Sequence, residues 1–148
     1  MKIYITHDNN KLGGYKTIGI EDLTNLNFSL SSICYDCQAS TIYAPTVLNY
    51  IPQEKVQAFL FHLLKLIKRG GTLHVGGIDS LMVFNSHKKF ILSTYDLNRI
   101  LFDESPQIKN LVLLSDIKDF FIKNNTTVNT IDIDDTECRF TIGVTKNG

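Results

Sequence analysis

One stretch constrains the fold more than any other. Thr41-Ile42-Tyr43-Ala44 is a β-branched and aromatic run, and Pro45 stops it, because proline cannot donate to a central ladder. After Pro52, the apolar residues Val56, Phe59, Leu60, Leu63, Leu64 and Ile67 recur at three- and four-residue steps, the spacing of an apolar stripe along a helix. Proline suits the first turn of such a helix. Lys65, Lys68 and Arg69 suit its carboxyl end, where the dipole favours cations, and Gly70-Gly71 are expected to supply the left-handed stop. Thr72 to Val75 then reads as a second strand. Parallel strands need a crossover of this kind, and the connection is right-handed. The chain is therefore expected to be α/β, with a mostly parallel sheet and helices packed on it.

The remaining segments fit around that unit. Lys2 to Thr6 alternates, with Ile3 and Ile5 on one face, as a short strand. His7-Asp8-Asn9-Asn10 and Gly13-Gly14 are turn formers, and Thr17-Ile18-Gly19-Ile20 follows so soon that no helix of ordinary length fits between. Asp22 to Asp36 is polar with scattered Leu23, Leu26, Phe28, Leu30 and Ile33, and reads as a loop pinned by apolar anchors. Ser93 with Asp96 resembles a capping box for a helix to Phe102, with Leu97, Ile100 and Leu101 as its stripe. Ser115 is placed to cap another helix, in which Ile117, Phe120 and Phe121 face inward until Asn124-Asn125. Val128 to Ile133 and Cys138 to Val144 flank an acidic turn and read as an antiparallel hairpin. No repeat or linker divides the 148 residues, so one domain over residues 1–148 is expected, long enough to bury a core without disulfides or metal.

Charge removes some function classes. Fifteen basic residues balance fifteen acidic ones, so no global field draws the chain onto nucleic acid or an anionic membrane. No run approaches the roughly 20 apolar residues of a membrane span, and no secretory pattern opens the chain, so a cytoplasmic protein is expected. Three cysteines, Cys34, Cys37 and Cys138, fit reduced thiols better than a disulfide framework. Cys34 and Cys37 have C-x-x-C spacing, with Cys138, His7 and His74 as conceivable further zinc ligands, but a single such pair is a weak signal beside the ordinary reading of unpaired thiols, and no metal site is assigned. Asp132, Asp134, Asp135 and Glu137 lack the EF-hand pattern and read as a solvated turn. His62 and His74 fall on the main helix and the following strand, where packing or hydrogen bonding is the ordinary role. His7 differs: it follows the first strand, at the carboxyl edge where open α/β sheets bind ligands.

The order of Met1 to Ile5, Lys11-Leu12-Gly13-Gly14-Tyr15, Ile42-Tyr43-Ala44, Val47-Leu48, Ile51-Pro52 and Gly70-Gly71-Thr72-Leu73-His74-Val75 resembles class I S-adenosylmethionine-dependent methyltransferases. It is most similar to small type 11-like predicted methyltransferases with a short connection after the first strand. The resemblance covers nearly the whole chain, terminal helix and hairpin included. It implies a Rossmann-like sheet with one antiparallel strand near an edge, and S-adenosylmethionine as cofactor. The positions it assigns to the cofactor are Thr6, His7 and Asp8 after the first strand, Gly19 and Glu21 after the second, and Ala44 and Thr46 after the third.

Several of these depart from the family pattern. Thr6 and Asp8 stand where glycines let the backbone approach the cofactor. Gly19 stands where a carboxylate would accept hydrogen bonds from both ribose hydroxyls, although Glu21 and Asp22 lie close by. Pro45-Thr46 and Asn49-Tyr50 replace a polar run that usually holds a Glu and a His. The expectation is a methyltransferase-like domain with a degenerate cofactor site, a pseudoenzyme acting as a binding or structural module through a homo-oligomer or a protein partner. The alternative is an active methyltransferase, with His7, Asp8 and Glu21 on the cofactor and Thr46 or Tyr50 lining the acceptor pocket. No catalytic residue is assigned.

Overall fold

The computed structural model of the chain describes residues 1–89, 93–102 and 108–148. Its centre is a six-stranded sheet of order β2-β1-β3-β4-β6-β5, built from β1 (Lys2–Thr6), β2 (Lys16–Gly19), β3 (Ala39–Ala44), β4 (Ile67–Ile78), β5 (Thr126–Asp134) and β6 (Arg139–Lys146). β1 runs parallel to β2 and β3, and β3 parallel to β4, while β6 is antiparallel to both β4 and β5. The α/β class, the parallel ladder and the C-terminal hairpin are as the sequence implies. Among the described residues no helix is long and apolar enough to cross a membrane.

The helices are α1 (Ile20–Asn25), α2 (Gln53–Leu66), α3 (Ser80–Lys88), α4 (Thr94–Phe102) and α5 (Leu114–Lys123), with a 3₁₀ turn at Leu48–Tyr50. The chain passes from β2 to β3, from β3 to β4, and from β4 to β5, each time in the same direction across the sheet. Right-handed crossovers in one direction place their helices on one face. Ile3, Ile5, Ile18, Ile42, Leu73, Val75, Ile142 and Val144 accordingly share one core with Leu23 of α1, Phe59, Leu60 and Leu63 of α2, and Ile117 and Phe121 of α5. Besides the β5–β6 hairpin, the step from β1 to β2 runs the other way, and residues 7–15 make it without a helix. On the second face Tyr4, Tyr43, His74, Thr17, Thr41 and Thr72 are all partly exposed, while at the end of β4 Ile78 is buried against Val83 of α3 and Leu97 and Leu101 of α4. Parallel strands covered on both faces read as continuous apolar runs; the alternation in β1, β3 and β4 is the imprint of a sheet covered on one.

Four local readings are corrected. α2 ends at Leu66, Ile67 is already extended, and Lys68 and Arg69 lie in β4, so Gly70-Gly71 do not stop the helix. They serve a bulge instead. Ala39 pairs with Ile67 but Thr41 with Thr72, Gly70 has φ +74°, and a Cβ on Gly71 would come 3.0 Å from the Ser40 carbonyl oxygen. The stretch expected as a loop after Asp22 begins within the six-residue α1. α5 starts at Leu114, one residue before Ser115, and its first N–H groups include that of Leu114, which donates to Asp79 Oδ1 at 3.3 Å. The fourth is α3, which has no counterpart in the sequence reading. By contrast, Ser93 Oγ lies 3.0 Å from Asp96 Oδ2 and accepts the Asp96 N–H at 3.1 Å, the contact that Ser93 and Asp96 implied. Leu97 and Leu101 pack on a small second core of Ile78, Val83 and Cys138; the side chain of Ile100 lies outside the described residues.

His62 shows how the segment before β3 is held. Its Nε2 accepts the Leu30 N–H at 2.8 Å, which only the neutral ring can do. Burial pushes its pKa below the ordinary 6.5, Asp36 opposing and Lys65 adding to the shift. Because the folded-state pKa is depressed, the unfolded chain binds more protons, so stability is complete above about pH 6.5 and declines as pH falls toward the folded value. His74 is shifted in the same direction by burial. Urea unfolding at pH 7.5 and 5.0 is expected to show a loss in the wild type that is smaller in His62→Gln; an identical loss in both would contradict this role.

Candidate functional site

The strand order reverses between β1 and β3, since the chain leaves β1 toward β2 and later continues from β3 toward β4. In open α/β sheets the crevice at the carboxyl ends of two such strands is where ligands bind. Here the loop after β1, the loop after β3 and the end of β2 converge on it.

The first loop is folded onto itself. Thr6 is 2% exposed, and its hydroxyl donates to Asp8 Oδ1. Asp8 also accepts the Asn10 N–H on Oδ1 at 3.1 Å and the Asn10 side-chain amide on Oδ2 at 2.6 Å. These partners, Thr6 first, hold the Asp8 carboxyl below its ordinary range. Asn9 adopts φ 60°, a left-handed conformation that asparagine tolerates better than most residues. Its Oδ1 sits 2.7 Å from where a Cβ on Gly19 would be, with Asp22 Oδ2 at 3.8 Å from the same point. His7 spans the crevice: Nδ1 shares a 2.8 Å hydrogen bond with Thr46 Oγ1, and its ring stacks on Tyr50 at 5.4 Å and 14°.

Of the residues marked from sequence, Thr6, His7, Asp8, Gly19 and Thr46 are brought to one edge of the sheet. Glu21 is exposed in the first turn of α1, and Asp22 is the carboxylate near Gly19. Ala44 is fully buried, paired with Val75 on the helix-packed face. Tyr50, expected to line an acceptor pocket, is 1% exposed beneath His7. Asn9 and Asn10 had not been marked; the Asp8-Asn9-Asn10 run is a turn signature, but which backbone position their side chains reach depends on the folded loop.

Elsewhere, a groove of about 440 Å³ runs between α2 and α5, lined by Val56, Leu60, Leu113, Ile117 and Phe120 with Gln53 and Asp116. Cys34 and Cys138 are buried and Cys37 exposed, all as free thiols; burial pushes the first two up in pKa. Among the described residues no group of three or more His, Cys, Asp or Glu side chains is placed to hold a metal ion. Asp134 Oδ1 accepts the Thr136 and Glu137 N–H groups at 3.0 and 3.3 Å, the ordinary work of an aspartate in a turn.

No family model and no curated protein matches this chain. Solved structures do. A possible exported protein from Bordetella parapertussis aligns with 99% of the chain at a TM-score of 0.62 and 12% identity. Magnesium protoporphyrin IX methyltransferase from Synechocystis PCC 6803, solved with bound SAH, aligns with 90% at 0.55 and 12% identity. A SAM-dependent methyltransferase from Archaeoglobus fulgidus aligns with 96% at 0.53 and 10% identity. This chain spans 62%, 65% and 74% of their respective lengths. At such identities the likeness is one of fold, and by it the chain has the mostly parallel, hairpin-terminated sheet of the SAM-dependent methyltransferases.

Proposed function

We propose that this domain keeps the methyltransferase fold without a working S-adenosylmethionine site and acts as a binding or structural module. The observation that carries this reading is Asn9, whose side chain occupies the space ahead of Gly19. A nucleoside cofactor at this crevice needs that space open and a carboxylate for its ribose hydroxyls; Gly19 supplies no carboxylate. Asp8 is held by Thr6 and Asn10, and His7 is tied to Thr46 across the opening. No helix follows β1 within residues 7–15, so a helix N-terminus, with its free N–H groups, is not offered to the ligand there. The residues present do not fit the cofactor as they stand.

Calorimetric titration with S-adenosylmethionine and S-adenosylhomocysteine tests the reading. Binding weaker than a Kd of about 1 mM, some 4 kcal/mol, is expected, whereas micromolar affinity, near 8 kcal/mol, contradicts it. One observation favours an active enzyme instead: the Asp22 carboxylate near Gly19, placed to replace the missing acid. Under that reading binding is micromolar and Asp22→Ala abolishes it.

A further inference from the structure

We infer that residues 26–38, the segment between α1 and β3, form a flap latched by His62, and that acid releases the latch and bares Cys34. The inference does not depend on whether the crevice holds a cofactor. Both ends of the flap are strained. Asn27, Phe28 and Cys37 have φ angles of 52°, 59° and 59°, left-handed values at which a side chain as bulky as that of Phe28 is an outlier. Such conformations persist only where the surrounding structure holds them. Leu30 and Cys34 supply part of that hold, being 0% and 2% exposed. At the far end the Cys37 N–H donates to the Lys65 carbonyl at 3.0 Å. Among the described residues, a single hydrogen bond ties residues 29–36 to another part of the chain, the Leu30 N–H donated to His62 Nε2 at 2.8 Å. The ion pair of Asp36 with Lys65 is exposed on both sides and adds little.

Protonation turns the acceptor of that bond into a second donor facing the Leu30 N–H. Burial keeps the ring neutral while the flap is closed, with Asp36 of the flap opposing and Lys65 of α2 assisting. Lys146 of β6 lines the same hollow as His62, its Nζ donating to the Ile67 carbonyl at 2.9 Å. The next hollow, which shares Phe61 and Asn124 with it, is lined by Lys123, Asp116 and Asp119 of α5. Opening removes Leu30 and Asp36 from the ring and admits water, in which the imidazole takes up a proton near the ordinary pKa of about 6.5. The open form therefore binds more protons than the closed one, and its share grows as pH falls below about 6.5.

Three thiols read out this motion: Cys34 is buried within the flap, Cys37 is exposed, and Cys138 is buried in the second core. The whole chain is labelled with N-ethylmaleimide and each site is followed by peptide mass spectrometry, with Cys37 as the reference for the reagent's own pH dependence. Cys34 is expected to react ahead of Cys138 at every pH. Relative to Cys37, it should react about 10-fold faster at pH 5.5 than at pH 7.5. In His62→Gln the carboxamide oxygen accepts the Leu30 N–H at both pH values, and the change should stay within about 2-fold. Equal rates at Cys34 and Cys138 in the wild type would mean that only global unfolding frees Cys34, and overturn the inference. So does a wild-type Cys34 rate that acid leaves unchanged, or a rise in His62→Gln as large as in the wild type.

Discussion

Gly76→Ala is expected to prevent folding or to lower the unfolding free energy by about 3 kcal/mol. Gly76 lies in β4 between β3 and β6, where the loop after β3 closes over the sheet. A Cβ there would overlap the carbonyl oxygens of both Pro45 and Phe140. Both are main-chain atoms, so no flexible side chain can yield, and relief requires moving β6 or the loop that carries Thr46. Gly13→Ala is the matched control, because nothing lies within 4 Å of a Cβ at that site, and it should change stability by less than about 0.5 kcal/mol. Urea unfolding of the two variants measures the difference; equal stability would mean that the close approach at Gly76 does not exist in solution.

The second large effect is expected at Asn49, which is fully buried. Its side-chain amide donates to the carbonyl oxygens of Ile78 at 3.3 Å and Asn110 at 3.0 Å, and its Oδ1 accepts the Ile78 N–H at 2.5 Å. The Asn49 carbonyl accepts the N–H groups of Lys109 at 2.8 Å and Asn110 at 3.2 Å. Asn110 answers by donating its own amide to Leu48 and Ile51. Gly77 leaves the room this needs, since its Cβ would stand 2.6 Å from Asn49 Oδ1. One side chain thus ties the 3₁₀ turn, the end of β4 and the segment leading to α5. Asn49→Ala strands buried partners that cost roughly 1–3 kcal/mol each when unpaired, and a loss of about 3 kcal/mol is expected by urea or thermal unfolding. A loss under about 1 kcal/mol would mean that water reaches these groups.

Much of this architecture is legible in the sequence where spacing alone decides it. The stripe from Val56 to Leu64 faces the sheet, and the hairpin forms where the two β-rich runs put it, although β5 carries a register shift between Val128 and Thr130 and leaves Ile131 and Ile133 exposed. The open face is legible too, in the triplets Ile3-Tyr4-Ile5, Ile42-Tyr43-Ala44 and Leu73-His74-Val75, each with its middle residue turned away from the helices. The same parity puts Ala44 with Ile42 in the core rather than in the crevice.

What escapes sequence reading depends on contacts distant in the chain or on degenerate signals. Gly70-Gly71 could end a helix or form a bulge, because both use the same left-handed freedom. The N–H of Leu114 finds its partner in Asp79, 35 residues away, a cap no local pattern announces. α3 buries only Val83 while Leu81 and Phe84 are exposed, so it carries no clear apolar stripe. At the crevice, family order locates Thr6, Asp8 and Gly19 but not Asn9, whose reach toward Gly19 is set by one positive φ angle and the packing of a nine-residue connection between β1 and β2.

Whether that crevice admits the cofactor is read from the amide chemical shifts of His7, Asn9, Gly19 and Thr46 while S-adenosylhomocysteine is added to about 1 mM. These resonances are expected not to move. Saturable shifts confined to those residues, with a midpoint in the micromolar range, would mean that the loop opens to admit the cofactor and that the domain retains its site.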